Sequence, residues 1–189
     1  MKVGIIILSG GKGRRVGGKD KGWCLHQNKP FIEIVLRQLQ QQSVQISQHE
    51  FHFFISANRN LAAYQQLSAE VISDQRENYC GPLSGIESVI KKNNESKIER
   101  WLSYPVDSID VPNNYLAKIL LLSEMKTGYV AQAQQFHYAH LSILESQADS
   151  LFNYLNSGQR SIKGWLKEID ADPIYFDESV NFKNLNVEK

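Results

Sequence analysis

A chain of 189 residues with 42% hydrophobic content and a formal charge of +1 is long enough to bury a full core. It lacks the basic excess of a nucleic-acid or membrane-surface protein. Cys24 and Cys80 lie far apart and form no metal-spaced pair, which argues against a disulfide framework and predicts a reduced, cytoplasmic protein. No apolar run approaches the ~18 residues of a membrane span, and the N-terminal IIIL is too short for a signal peptide.

The first predicted element is a buried strand over Val3–Leu8, short, rich in isoleucine and stopped at once by glycine. The loop SGGKGRRVGGKDKG follows it. Glycines let backbone N–H groups approach an anion and Lys and Arg neutralise it, so this strand and loop read as a phosphate site; the bland alternative is a solvated basic turn. Two known phosphate motifs fail here. GxGxxG would need Gly11, Gly13 and a third glycine where Val16 stands, and that third glycine is what lets a helix pack against the strand. GxxxxGK[ST] fits Gly13, Gly18 and Lys19, but Asp20 replaces the magnesium-binding hydroxyl and the strand ends too far upstream.

Next, KPFIEIVLRQLQQQ sets Phe31, Ile34, Val35 and Leu39 at helical spacing, with Pro30 near the first turn. HEFHFFISAN predicts a strand running to Asn58, Ala62–Leu67 a short helix, and AEVISD a short strand ending at Asp74. RENYCGPLSGIESVIKKN is a loop leading into a helix, with Pro82 near its start and Ile86, Val89 and Ile90 on one face. ERWLSYPVDSIDVP predicts a strand and a loop with two aspartates, and PNNYLAKILLLSEM a helix. TGYVAQAQQ and FHYAHLSILE read as a hairpin, SLFNYLNSG and SIKGWLKEI as short helices, and PIYF as a strand before an asparagine-bearing tail. This alternation predicts a single α/β domain over residues 1–189. Its mostly parallel sheet is covered on both faces, which makes three layers, with a late antiparallel strand.

In such folds ligands sit at the carboxyl ends of the strands, which selects Leu8–Gly11, Asn58, Asp74 and Asp107. Asn58 also fits a turn, and Asp74 a cap. Asp110 rivals Asp107, which is preferred because it follows its apolar strand directly.

LSGGKGRRVGGKDKG followed by NKPFIEIVL resembles the signature of the molybdenum cofactor guanylyltransferase (MobA) family: LAGG, a short basic stretch, MGG, DKG, then a GKPLI helix. The similarity continues through ANR at Ala57–Arg59, SD at Ser73–Asp74, GPLSGI at Gly81–Ile86 and PVD at Pro105–Asp107. It ends with GQR at Gly158–Arg160 and FKNLN at Phe182–Asn186, and so spans essentially the whole chain.

The resemblance implies a nucleotidyltransferase with a dinucleotide-binding-like (Rossmann-like) fold of nucleotide-diphospho-sugar transferase type. The implied enzyme joins the guanylyl group of GTP to the terminal phosphate of molybdopterin bearing molybdenum and releases pyrophosphate. It places GTP on backbone groups of Leu8, Ser9, Gly10 and Gly11 and on the Lys21 side chain, with Arg15 as a further phosphate cation. Asn58 and Asp74 become nucleotide contacts, Asn184 and Asn186 binding residues of the tail, and Asp107 the ligand of Mg²⁺. That chemistry suits in-line attack on an α-phosphate, which needs charge neutralisation and positioned reactants, and a hard cation that prefers carboxylate, phosphate and water oxygens. An aspartate can accept from guanine's ring N–H and amino group, but the resemblance, not this chemistry, selects GTP. The implied protein partners are transient: those that supply molybdopterin and those that mature molybdoenzymes.

The sequence departs from the pattern at Ser9, at Val16, in PVD for PCD, in AHLS around His140 and in the ending NLNVEK. His140 is expected to be structural. Two further readings stand beside the first: a related transferase using CTP or a sugar-phosphate acceptor, and a non-catalytic GTP-binding protein that delivers cofactor. Lys21 and Asp107 together argue against the latter.

Overall fold

The structure, a computed structural model, describes residues 1–10, 20–77, 80–122, 126–133, 135–177, 179–180, 182 and 185. The expected strand is β1 (Lys2–Leu8), and its Ile5–Ile7 core is inaccessible because both faces are covered. Val3, Ile5 and Ile7 pack into one layer with helix α1 (Phe31–Val44) and helix α4 (Tyr115–Leu122). Ile6 points into the other layer, with α3 (Pro82–Lys92), α5 (Ala148–Asn156) and α6 (Ile162–Glu168). Period-two alternation inside a continuous apolar run is what a central parallel strand requires.

The remaining main strands are β4 (Glu50–Ser56), β5 (Glu70–Ile72), β6 (Arg100–Pro105), β7 (Gly128–Gln132), β8 (Gln135–Leu144) and β9 (Asp172–Tyr175). Their order is β5-β4-β1-β6-β8-β7-β9, parallel except that β8 runs against both β6 and β7. The mostly parallel sheet with one late antiparallel strand is therefore present as the alternation predicts. Pro82 opens α3 at its first turn, where a missing N–H costs nothing, and Lys91 and Lys92 close it where cations complement the helix dipole.

Three local features differ from expectation. The helix foreseen over Ala62–Leu67 is one turn, α2 (Leu61–Tyr64), because no second turn of apolar spacing follows and Tyr64 is drawn inward, fully buried. A 3-10 turn (Lys21–Trp23) and a tiny hairpin, β2 (Leu25–His26) with β3 (Lys29–Pro30), intervene before α1. The β5 strand ends at Ile72, two residues before Asp74.

Order and direction create a switch point. From β1 the chain moves outward to β4 and β5, then returns to β6 on the other side of β1. Crossovers on opposite faces leave a crevice above the carboxyl ends of β1 and β6, the place where open α/β sheets bind ligands.

Candidate active site

The crevice is framed by Leu8 at the end of β1 and Pro105 at the end of β6, paired partners in the sheet. Two residues beyond Pro105, Asp107 is 7% exposed, and its Oδ2 accepts a hydrogen bond from Lys21 Nζ at 2.5 Å. The sequence-selected cation and carboxylate thus meet across 86 positions of chain. Asp110, the rival carboxylate, is exposed and lines a separate cleft with Lys29, Glu33 and Arg37 on the outer side of α1.

Lys21 is held by a network that sequence reasoning missed. Asp20 caps the 3-10 turn, its Oδ1 accepting from Gly22 N at 3.1 Å and from the Tyr64 hydroxyl at 2.7 Å. Its Oδ2 accepts from Asn60 Nδ2 at 3.1 Å. With the Tyr64 proton spent on Asp20, the Ser9 hydroxyl donates to the Tyr64 oxygen at 2.6 Å, so a relay runs from the end of β1 to the turn bearing Lys21. Burial, with Ser9 opposing and Asp20 reinforcing it, pushes the phenol of Tyr64 far up and keeps it protonated. Gly22 is required by proximity: a Cβ there would lie 2.2 Å from the Tyr64 oxygen and 2.4 Å from Ser9 Oγ. DKG is thus a cap, a cation and a close approach, and the motif was the only signal in the sequence for Asp20.

At the end of β1, the Ser9 N–H is committed to Ser56 O at 2.9 Å, and Leu8 O accepts from Val106 N at 3.2 Å. The four-residue segment Leu8–Gly11 therefore cannot present every amide to an anion. Ser9 serves the relay and the sheet, and Gly10 is its exposed member. Gly11 and Arg15 lie outside the described residues, as does Lys19.

Asn58 and Asp74 are together, as the strand-end rule selects. Asn58 Oδ1 accepts from Asp74 N at 2.8 Å, tying the loops after β4 and β5. Asp74 Oδ1 is buried with no hydrogen-bond partner among the described residues. Burial raises its carboxyl above the ordinary range, with the nearby Asn58 and Ser56 side chains opposing. Gly85 in the first turns of α3 makes room for this group: a Cβ would stand 2.2 Å from Ser56 Oγ and 3.2 Å from Asp74 Oδ1. Arg76 fixes the loop from below, binding Glu87 through Nε at 2.5 Å and Nη2 at 2.7 Å and Asn156 Oδ1 at 2.6 Å. A buried carboxylate oxygen left unpaired is costly unless a ligand donor meets it.

On the other side of Asp107 the surroundings are aromatic. His140 is fully buried among Tyr104, Tyr115 and Phe182, with ring centroids at 4.6, 6.0 and 5.1 Å. Burial first, then His137, lowers its pKa to about 3, so it is neutral and structural, as expected. Its Nε2 lies 3.1 Å from Ser108 Oγ, and Ser108 O accepts from the Tyr104 hydroxyl at 2.9 Å. Asn184 and Asn186 lie outside the described residues. Of the tail, Phe182 is buried and Leu185 N donates to Asp107 O at 2.8 Å.

Among the described residues no group of three His, Cys, Asp or Glu side chains could hold a metal ion alone. A single carboxylate nonetheless fits Mg²⁺, which is usually bound by one or two carboxylates plus substrate phosphates and water. Among those residues, too, no helix is long and apolar enough to cross a membrane.

Comparison with known proteins follows this geometry. The profile of the MobA-like NTP transferase domain matches residues 5–172. The molybdenum cofactor guanylyltransferase of Haemophilus influenzae is 33% identical over 190 residues, covering 97% of this chain and 93% of its own. The crystal structure of molybdopterin-guanine dinucleotide biosynthesis protein A from Archaeoglobus fulgidus superposes with a TM-score of 0.72 at 22% identity, covering 98% of this chain and 92% of that one. The 4-diphosphocytidyl-2C-methyl-D-erythritol synthase of Anaerococcus prevotii has the same fold, with a TM-score of 0.75 at 8% identity over 98% and 91% of the two chains.

Proposed function

Because this chain belongs to the MobA-like NTP transferase family, we propose that it transfers the guanylyl group of GTP to the terminal phosphate of molybdenum-bearing molybdopterin. The products are the guanine dinucleotide cofactor and pyrophosphate. The observation that carries the assignment is the Lys21–Asp107 pair at 2.5 Å, seated at the switch point between β1 and β6. A triphosphate laid across that crevice meets the Lys21 cation and the exposed Gly10.

The guanine base then lies toward β4 and β5, where the partly exposed Asp74 carboxylate accepts from its donors and Asn58 holds the loop. Lys21 grips Asp107 by Oδ2, and the same carboxylate would hold a divalent cation of the kind such transferases generally use, here Mg²⁺. When bound, that cation supplies positive charge to the phosphates at the reacting centre. Lys21 and Arg15 neutralise the triphosphate, and the rigid Asp20–Tyr64–Ser9 relay keeps Lys21 in register with the end of β1. An acceptor phosphate oxygen approaching from the β6–β8 side attacks the α-phosphorus. One P–O bond forms, the bond to the β-phosphate oxygen breaks, and pyrophosphate leaves. No covalent enzyme intermediate is needed, so catalysis is positioning and charge. The setting is the cytoplasm, beside the proteins that supply molybdopterin and receive the finished cofactor.

A nucleotide panel tests this. Protein, Mg²⁺ and loaded molybdopterin are incubated in turn with GTP, CTP and ATP, and pyrophosphate and dinucleotide are measured. Product with GTP in clear excess over CTP is expected; product with CTP alone, or with none of the three, overturns the assignment.

A further inference from the structure

We infer that Gln132 is a positioning residue for transfer, strapping the C-terminal segment across the acceptor side of the crevice and so setting the place of Asp107. This deepens the proposed function and rests on it. Gln132 ends β7, is 6% exposed and uses its whole amide. Nε2 donates to Asp177 O and to Val180 O, both at 2.9 Å, while Oε1 lies 2.9 Å from His137 Nε2.

The two carbonyls belong to one turn, closed by Val180 N donating to Asp177 O at 3.1 Å and by Ser179 N donating to Asp177 Oδ1 at 2.9 Å. Two residues later Phe182, 2% exposed, wedges between His137, His140 and Phe176, each at a centroid distance of 5.1 Å. Three residues further on, Leu185 N holds Asp107 O at 2.8 Å. The chain thus runs from a side chain on β7, through a turn and an aromatic wedge, to the main chain of the carboxylate on which transfer depends.

A bulge makes this possible. Tyr129 pairs with Leu141 but Val130 with His137, so three residues of β8 loop out of register. The bulge turns His137 and His140 toward the tail together, their rings 6.2 Å apart, and bulges of this kind re-aim side chains beside active sites. Displacing a reacting group by ~1 Å can cost a hundredfold in rate, so a strap that fixes Asp107 acts on turnover rather than on nucleotide affinity.

The test uses the full chain. Gln132→Glu keeps the size but loses both donors; Gln132→Met also lacks them without adding charge; Phe182→Ala removes the wedge. Each is assayed for kcat, for the KM of GTP, for thermal melting and for tryptic cleavage after Lys183. The expected result is at least a tenfold fall in kcat with the KM of GTP within twofold, and faster cleavage after Lys183 well below the melting temperature. Gln132→Glu combined with Phe182→Ala should be no slower than the worse single variant by more than twofold, because both release one strap. Three outcomes overturn the inference: faster cleavage with unchanged kcat, unchanged cleavage, or loss of kcat together with GTP affinity and melting temperature. If the wild-type protein transfers no guanylyl group, the proposed function fails, and the cleavage data still report on the strap.

Discussion

On the β5–β4–β1 side of the carboxyl edge, the groups that follow the strands are polar and fastened to one another: Asn58 to Asp74, Ser9 to Tyr64, Tyr64 to Asp20. On the β6–β8–β7 side, the same edge is lined by rings, with His140, Tyr104, Tyr115 and Phe182 in mutual contact and a returning tail laid over them. The first side holds short loops that follow strands, so its donors and acceptors are aimed by the sheet. The second depends on a tail that leaves the sheet after β9 and comes back to it through contacts such as Gln132 with Asp177. The proposed nucleotide side is therefore written into motifs, whereas the proposed acceptor side is assembled by packing. Asp107 and Lys21 sit on the seam, one reached from each side.

The largest expected effect lies on the seam. Asp107→Asn keeps the volume but removes the charge that Lys21 and a divalent cation answer to. Turnover should drop on the order of a hundredfold, the scale of deleting one preorganised charge-stabilising group, with the melting temperature nearly unchanged. Asp110→Asn should leave turnover within about twofold of wild type, far less than the tenfold that ~1.4 kcal/mol gives. Reversal of the two results would move the seam to the outer cleft.

Gly22→Ala probes the proposed nucleotide side alone. The new methyl group must displace the Tyr64 hydroxyl or Ser9 Oγ, which a Cβ would approach to 2.2 and 2.4 Å. Overpacking of this kind costs about 1–3 kcal/mol. The variant should lower the melting temperature and raise the KM of GTP together, whereas strap variants should leave that KM alone; equal behaviour of the two classes would erase the distinction between the sides.

Much of this was legible because local chemistry and fold agree. The apolar IIIL run, the spacing of Phe31, Val35 and Leu39, and Pro82 before Leu83 and Ile86 each fix an element without help from distant residues. Asn58 and Asp74 were reachable because they follow strands, and Asp107 was preferred to Asp110 because it follows its strand directly; the structure has Asp107 buried and Asp110 exposed. Tyr64 reads as an ordinary core aromatic until its hydroxyl is seen on Asp20. Gln132 and Phe182 carry no motif whose spacing betrays a strap. The β2–β3 hairpin escaped because its strands are two residues each, too short for periodicity, and it turns through Gln27 and Asn28 at φ 49° and 63° without the glycine that usually marks such turns.

A smaller effect is expected from Asp74→Asn. The carboxylate accepts two donors of guanine only when ionised, so its replacement should cut the preference for GTP over ATP by about tenfold to a hundredfold, matching ~1–3 kcal/mol for a buried acceptor. Since burial raises its pKa above 3.8, wild-type affinity for GTP should begin to weaken on acidification at a higher pH than an ordinary aspartate would give. Competition binding across pH measures both, and the Asn variant should lose that acid limb. A variant equally impaired with every nucleotide would place Asp74 on the ribose instead.

The smallest effect on activity belongs to His140. With a folded pKa of about 3 against 6.5 unfolded, the unfolded chain takes up the proton first. The contribution of neutral His140 is complete above about pH 6.5 and is lost as pH falls toward 3, by roughly 1.4 kcal/mol per unit. His140→Leu should flatten that acid slope in thermal melts while leaving the pH profile of turnover above pH 6.5 unchanged; a shifted activity profile would make the ring a proton carrier.

Transfer of a labelled phosphorus tests the central claim most directly. Given GTP labelled at the α-phosphate, loaded molybdopterin and Mg²⁺, the protein should move the label into a guanine dinucleotide with one pyrophosphate released per label transferred. Label recovered only as free GMP, or pyrophosphate formed without dinucleotide, would contradict guanylyl transfer to molybdopterin.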